Sequence, residues 1–135
     1  MKKYFVMGLL VLFASFCLTS TCIGAFDIPL GVYRIDQLAQ AAKDAASHNK
    51  QIVFLYSDEK TTCPLCARAS TVIMDKFKLN SVIVYFDKGG WQKAPRVVRE
   101  AINSPASGKY IPKTIVVNTG MTEVVSIIPY ESVGK

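Results

Sequence analysis

The sequence predicts an α/β domain with a mixed central sheet and flanking helices. Three observations carry this. Two short, continuous apolar runs rich in strand formers, Gln51–Tyr56 and Ser81–Phe86, have the pattern of buried central strands. Between them, Ala67–Lys78 has helical periodicity, so the two strands form a parallel pair joined by a right-handed crossover. Two more strand-like runs, Thr114–Val117 and Val124–Ile128, flank the turn residues Asn118-Thr119-Gly120 and form an antiparallel hairpin.

The remaining elements follow from caps and breakers. Asp36 is expected to cap a helix whose apolar positions Ile35, Leu38, Ala42 and Ala45 recur at helical spacing. That helix ends in Ser47-His48-Asn49-Lys50, where His48 is expected to be exposed at the C-terminus and favoured by the helix dipole. Ser57–Thr62 is a polar loop. In the helix after it, Leu65, Ala69, Val72, Ile73 and Phe77 are expected to share the buried face. Asp87–Gly90 is a turn, Pro95 suits the first turn of a short helix through Ile102, and Asn103–Lys109 is loop. Pro129–Lys135 is too short and polar for a further packed helix.

The N-terminus has the three-part layout of a secretory signal peptide. Met1-Lys2-Lys3 is basic, Tyr4–Leu18 is apolar and uncharged, and Thr19–Ala25 is small and polar apart from Ile23. Residues 1–25 are therefore read as a signal peptide cleaved after Ala25, and residues 26–135 as one domain, exported to the periplasm or another extracytoplasmic space. An uncleaved anchor is one alternative, although the apolar stretch is short against the roughly 20 residues a span needs; lipidation of Cys22 is the other, for which Thr19-Ser20-Thr21 is a poor match. Membrane association is expected only if the N-terminal segment is uncleaved. Cleavage removes Cys17 and Cys22 and leaves one close pair, Cys63 and Cys66. A ring that small restrains the unfolded chain much less than a long loop would, so the pair points to chemistry rather than stapling.

Charge excludes little. The whole chain carries +6, and the 14 basic residues left after Lys2 and Lys3 are removed exceed the 10 acidic ones by four. The excess is scattered, with small concentrations at Lys93-Arg96-Arg99 and Lys109-Lys113, and reads as a solvated surface. No aromatic–basic interleaving speaks for nucleic acid, and none is expected as a partner. No dimerisation element is visible, so a monomer is the default.

Cys63-Pro64-Leu65-Cys66 carries the chemistry. It lies at a strand-to-helix junction, where two cysteines three apart on the first helical turn can close a small disulfide ring. The first thiol then faces unpaired N–H groups and the positive end of the helix dipole, which favour the thiolate. Thiolate is the nucleophile of thiol–disulfide exchange. Lys60 and Arg68 would favour it, and Asp58 and Glu59 would oppose it. Near cancellation of these charges implies a redox potential between the reducing and strongly oxidising extremes.

Together with Tyr110-Ile111-Pro112-Lys113-Thr114 ahead of the hairpin, this element order resembles the thioredoxin-like superfamily over residues 32–128. The resemblance implies a cis peptide at Ile111-Pro112, in a loop that faces the dithiol and offers its backbone to a substrate chain. It implies Cys63 as exposed nucleophile and Cys66 as buried resolving thiol of a thiol–disulfide oxidoreductase. No cofactor beyond the Cys63–Cys66 disulfide is expected. The implied partners are protein thiols or disulfides and a separate recycling partner.

The departures are specific. Thr62 stands where thioredoxin has Trp, and Pro64-Leu65 where it has Gly-Pro. Pro64 is nearer to glutaredoxins and Dsb-type oxidoreductases, but Leu65 replaces the His of the strongest oxidants. About Phe54 falls at the buried Asp of thioredoxin, the pre-cysteine loop is longer, and the family's C-terminal helix has no counterpart. Trp91 is either a substrate contact or a packing residue. Two other functions stay open: a Cu(I) chaperone binding through the dithiol, with Met74 and Met121 as candidate soft ligands, and a redox-inert interaction module.

Overall fold

The computed structural model describes residues 27–133, so the expected signal peptide lies outside the described residues. The sheet has five strands in the order β1-β3-β2-β4-β5. These are β1 (Val32–Arg34), β2 (Gln51–Tyr56), β3 (Ser81–Phe86), β4 (Lys113–Val117) and β5 (Val124–Ile128). The helices are α1 (Leu38–His48), α2 (Pro64–Phe77) and α3 (Arg96–Asn103). As the apolar runs imply, β2 and β3 pair in parallel and β4 pairs antiparallel to β5. β4 also lies antiparallel to β2, which makes the sheet mixed.

Side-chain alternation along the strands sorts the core into two layers. Ile52, Phe54, Val82, Val84, Phe86, Ile115 and Val117 pack with α1 and α3. Val53, Leu55, Ile83, Tyr85 and Val116 pack with Ile73 and Met74 of α2. Among the described residues, the helix that carries the dithiol is thus the only one on its face of the sheet. Burying these residues supplies the main driving force, about 25 cal/mol per Å² of apolar surface. Gly90 is held by packing: a Cβ there would stand 2.7 Å from Ile35 Cγ2 and 3.2 Å from Phe86 Cβ.

Several expectations need correction. β1 was not expected, because three residues give no readable period; it pairs in parallel with β3. Asp36 does not cap α1. It lies within a 3-10 turn, Ile35–Gln37, and its carboxylate pairs with Lys93 instead. The Gln37 side chain accepts from Arg34 N (3.0 Å), which starts the turn in its place. The buried face of α2 is Ala69, Ser70, Ile73 and Met74, whereas Leu65 is 63% and Val72 44% exposed. Asp87 does more than turn the chain: its carboxylate accepts from Gly89 N (2.8 Å) and Gly90 N (3.2 Å), capping a 3-10 helix over Lys88–Lys93. Pro95 precedes α3 as its N-cap, and its carbonyl accepts from Val98 N and Arg99 N, each at 3.1 Å.

Other expectations are met. Asn49, in the left-handed region at φ 49°, stops α1, and His48 is exposed beside Asp44 at 3.0 Å. Among the described residues only a 3-10 turn, Tyr130–Ser132, follows β5. Among the same residues no helix is long and apolar enough to cross a membrane.

Candidate dithiol site

β2 delivers the chain at Tyr56 to the loop 57–62, and α2 begins where that loop ends. Cys63 is the N-cap of α2, with extended backbone (φ −77°, ψ 108°), and Pro64 occupies the first helical position, where its missing N–H costs nothing. Cys66 falls on the third helical position. Its backbone N–H donates to Cys63 Sγ at 3.4 Å, so sulfur plays the part usually taken by a capping oxygen. Both thiols are reduced and half-buried.

The two thiols differ in acidity. The Cys66 thiol and backbone N–H hold the Cys63 thiol below the ordinary range, burial opposes them, and the Leu65 N–H adds a smaller lowering. Burial, followed by the hydrogen bond to Cys63 and the charge on it, pushes Cys66 up to about 11, with the Thr61 hydroxyl opposing. The asymmetry therefore comes from helix-start N–H groups and from the thiol pair itself. The expected contest of Lys60 and Arg68 with Asp58 and Glu59 is not what separates them. Glu59 forms a two-point ion pair with Arg34 of β1 (2.6 and 2.8 Å), which holds its carboxyl pKa below the ordinary value and fastens the loop to the sheet edge. Asp58 accepts from Lys60 N at 3.0 Å.

Thr61 was missed as a site residue. Its Oγ1 accepts from Cys63 N at 3.1 Å, fixing the entry to the helix. A threonine two residues before a cap is a readable signal for such a local bond. Arg34 left no signal, because its partner is 25 residues away.

The Ile111–Pro112 bond is cis, with Pro112 buried and Ile111 half-buried. Tyr56 is in register with Lys113, so the loop leaving β2 toward Cys63 and the loop entering β4 through Ile111-Pro112 emerge at the same end of adjacent strands. Thr114 follows, in register with Leu55; its residue is 1% exposed, and its hydroxyl has no hydrogen-bond partner among the described residues.

The β2 position turned toward α2 is Leu55, not Phe54, which packs on the α1–α3 side. Both positions are apolar, so β2 brings no carboxylate to either face here. Met74 packs beneath α2, while Met121 packs with the opposite layer. Among the described residues no group of three or more His, Cys, Asp or Glu side chains is gathered to hold a metal. Trp91 is half-buried and packs edge-on against Tyr56 at 5.6 Å.

Comparison of the chain with protein-family models, with curated proteins and with solved structures found no match.

Proposed function

We propose that this protein is a thioredoxin-like thiol–disulfide oxidoreductase that acts on protein substrates in an exported, oxidising compartment. One observation carries the reading. Two reduced cysteines share the first turn of α2, with the Cys66 N–H on Cys63 Sγ, Cys63 the more acidic and Cys66 pushed up to about 11. That is the division of labour the exchange reaction needs.

Cys63 thiolate attacks one sulfur of a substrate disulfide. A mixed disulfide forms, and the substrate's other sulfur leaves as thiolate and takes up a proton. Cys66 then gives up its proton and attacks Cys63 Sγ, and the second substrate sulfur leaves and is protonated. The substrate disulfide is reduced to two thiols, and Cys63–Cys66 is oxidised to a disulfide. The reverse sequence oxidises a substrate dithiol. A recycling partner must restore whichever form is consumed. Ile111 and Pro112, at the same end of the sheet, are assigned to the substrate chain.

The test is to trap the intermediate. Cys66→Ala incubated with a disulfide-bonded protein is expected to accumulate a mixed disulfide through Cys63, seen as a dithiothreitol-sensitive adduct by mass. Cys63→Ala is expected to accumulate none. Adducts through both positions equally, or through neither, would remove the reading.

A further inference from the structure

A second feature lies at the same end of the sheet. Parallel β2 and β3 both end there, and antiparallel β4 begins there. The helices then diverge, α2 to one face and α3 to the other. Crevices outside the carboxyl ends of strands, where connections part to opposite faces, are where α/β sheets take ligands. On the α3 side of this end is an open cleft of about 480 Å³. That is within the roughly 300–1,000 Å³ usual for a ligand site.

Its lining has a definite chemistry. Tyr56, Trp91 and Ile102 give it an aromatic and aliphatic wall. Lys88 and Lys113 bring two positive charges, and among the described residues no carboxylate lines it. Lys113 is held in place, its ammonium donating to Ile102 O and Ser107 Oγ, both at 3.0 Å. The remaining rim residues are the amides Gln92 and Asn103. The Gln92 carbonyl oxygen already accepts from Arg99 at 3.2 Å, so the group it can still offer a ligand is its NH₂ donor. An apolar wall beside cations and spare donors matches a carboxylate next to an aromatic group.

We propose that this cleft receives an acidic–aromatic segment of the substrate polypeptide, with Glu or Asp beside Phe, Tyr or Trp close to the reacting cysteine. The inference rests on the oxidoreductase reading for the identity of the occupant as substrate. The segment's carboxylate meets Lys88 and Lys113, and its ring packs on Trp91 and Tyr56. Selection is then by charge, so it weakens as salt rises.

Trp91 is the only tryptophan of the chain, so its emission reports on the cleft directly. The full chain is titrated with a short peptide in which two Glu and one Phe flank a Ser, and with the same peptide carrying Lys for Glu. Because Ser replaces the cysteine, binding is read apart from redox chemistry. The Glu peptide is expected to shift Trp91 emission saturably and to bind at least about fivefold more tightly than the Lys peptide at low salt. Lys88→Gln and Lys88→Glu are expected to erode that preference. Lys43→Gln, the same loss of charge on exposed α1, is expected to keep it. Equal binding of the two peptides, no emission change with either, or an equal effect of Lys43→Gln would overturn the proposal. Exchange with glutathione is measured on the same sample. Selective binding without exchange would leave the cleft standing and remove the redox reading; exchange without selective binding would do the reverse.

Discussion

Brief treatment of the reduced protein with iodoacetamide near neutral pH is expected to label Cys63 and spare Cys66. Only thiolate reacts, so the label follows acidity. Cys66 titrates at about 11 instead of the ordinary 9.0, so at neutral pH it carries ~100-fold less thiolate than an unperturbed cysteine. Cys63 is shifted the other way, toward thiolate. The Cys63 rate should therefore exceed the Cys66 rate by more than ~100-fold. Digestion and mass spectrometry locate the label, and a sample unfolded in urea supplies the reference, in which the two rates converge. Across pH, the midpoint of Cys63 labelling should fall below the ordinary thiol value, while that of Cys66 labelling should fall near about 11. The sign for stability follows from the same shift. A raised pKa means the folded state holds the proton, so the Cys66 contribution is present below 9.0 and is lost as pH climbs toward about 11. Labelling of Cys66 as fast as Cys63, or both titrating together at the ordinary value, would refute the assignment of nucleophile and resolving thiol.

Four further outcomes are expected. Thr61→Val removes the hydroxyl that opposes the rise at Cys66, so release of a mixed disulfide by Cys66 should slow, as read by quenched-flow analysis of the second step. Ile73→Ala, at a site 1% exposed between α2 and the sheet, should cost about 2–5 kcal/mol in urea unfolding. Leu65→Ala on the same helix should stay within about 0.5 kcal/mol, because Leu65 is 63% exposed. Thr114→Val removes a buried hydroxyl with no partner among the described residues and should gain about 1 kcal/mol by the same measurement.

What could be read in advance depended on how local its cause was. β2 and β3 announce themselves because a strand buried on both faces is a near-continuous apolar run, as Ile52–Leu55 and Val82–Phe86 are. The start of α2 was legible because Cys63, Pro64 and Cys66 each contribute to a cap that needs no distant partner. β1 was not, since Val32-Tyr33-Arg34 becomes a strand only by lying beside β3, about fifty residues later. The face of α2 was misjudged by hydrophobicity: Ser70 tolerates burial because its hydroxyl bonds back to Cys66 O at 3.0 Å, and Leu65 sits out in the open at the dithiol. The electrostatics were misjudged for the same reason. Nothing near Glu59 in sequence says that Arg34 will neutralise it. The cleft wall is non-local too, built from Tyr56 and Trp91 across the strand ends.

The most direct test of the central claim is the midpoint potential of Cys63–Cys66. The protein is equilibrated in glutathione buffers, its thiols are trapped with a maleimide, and the oxidised fraction is read by mass. The account predicts a reversible two-electron couple between about −270 and about −120 mV, inside the limits set by a strong reductant and a strong oxidant. A dithiol that forms no reversible intramolecular disulfide under these buffers would contradict it.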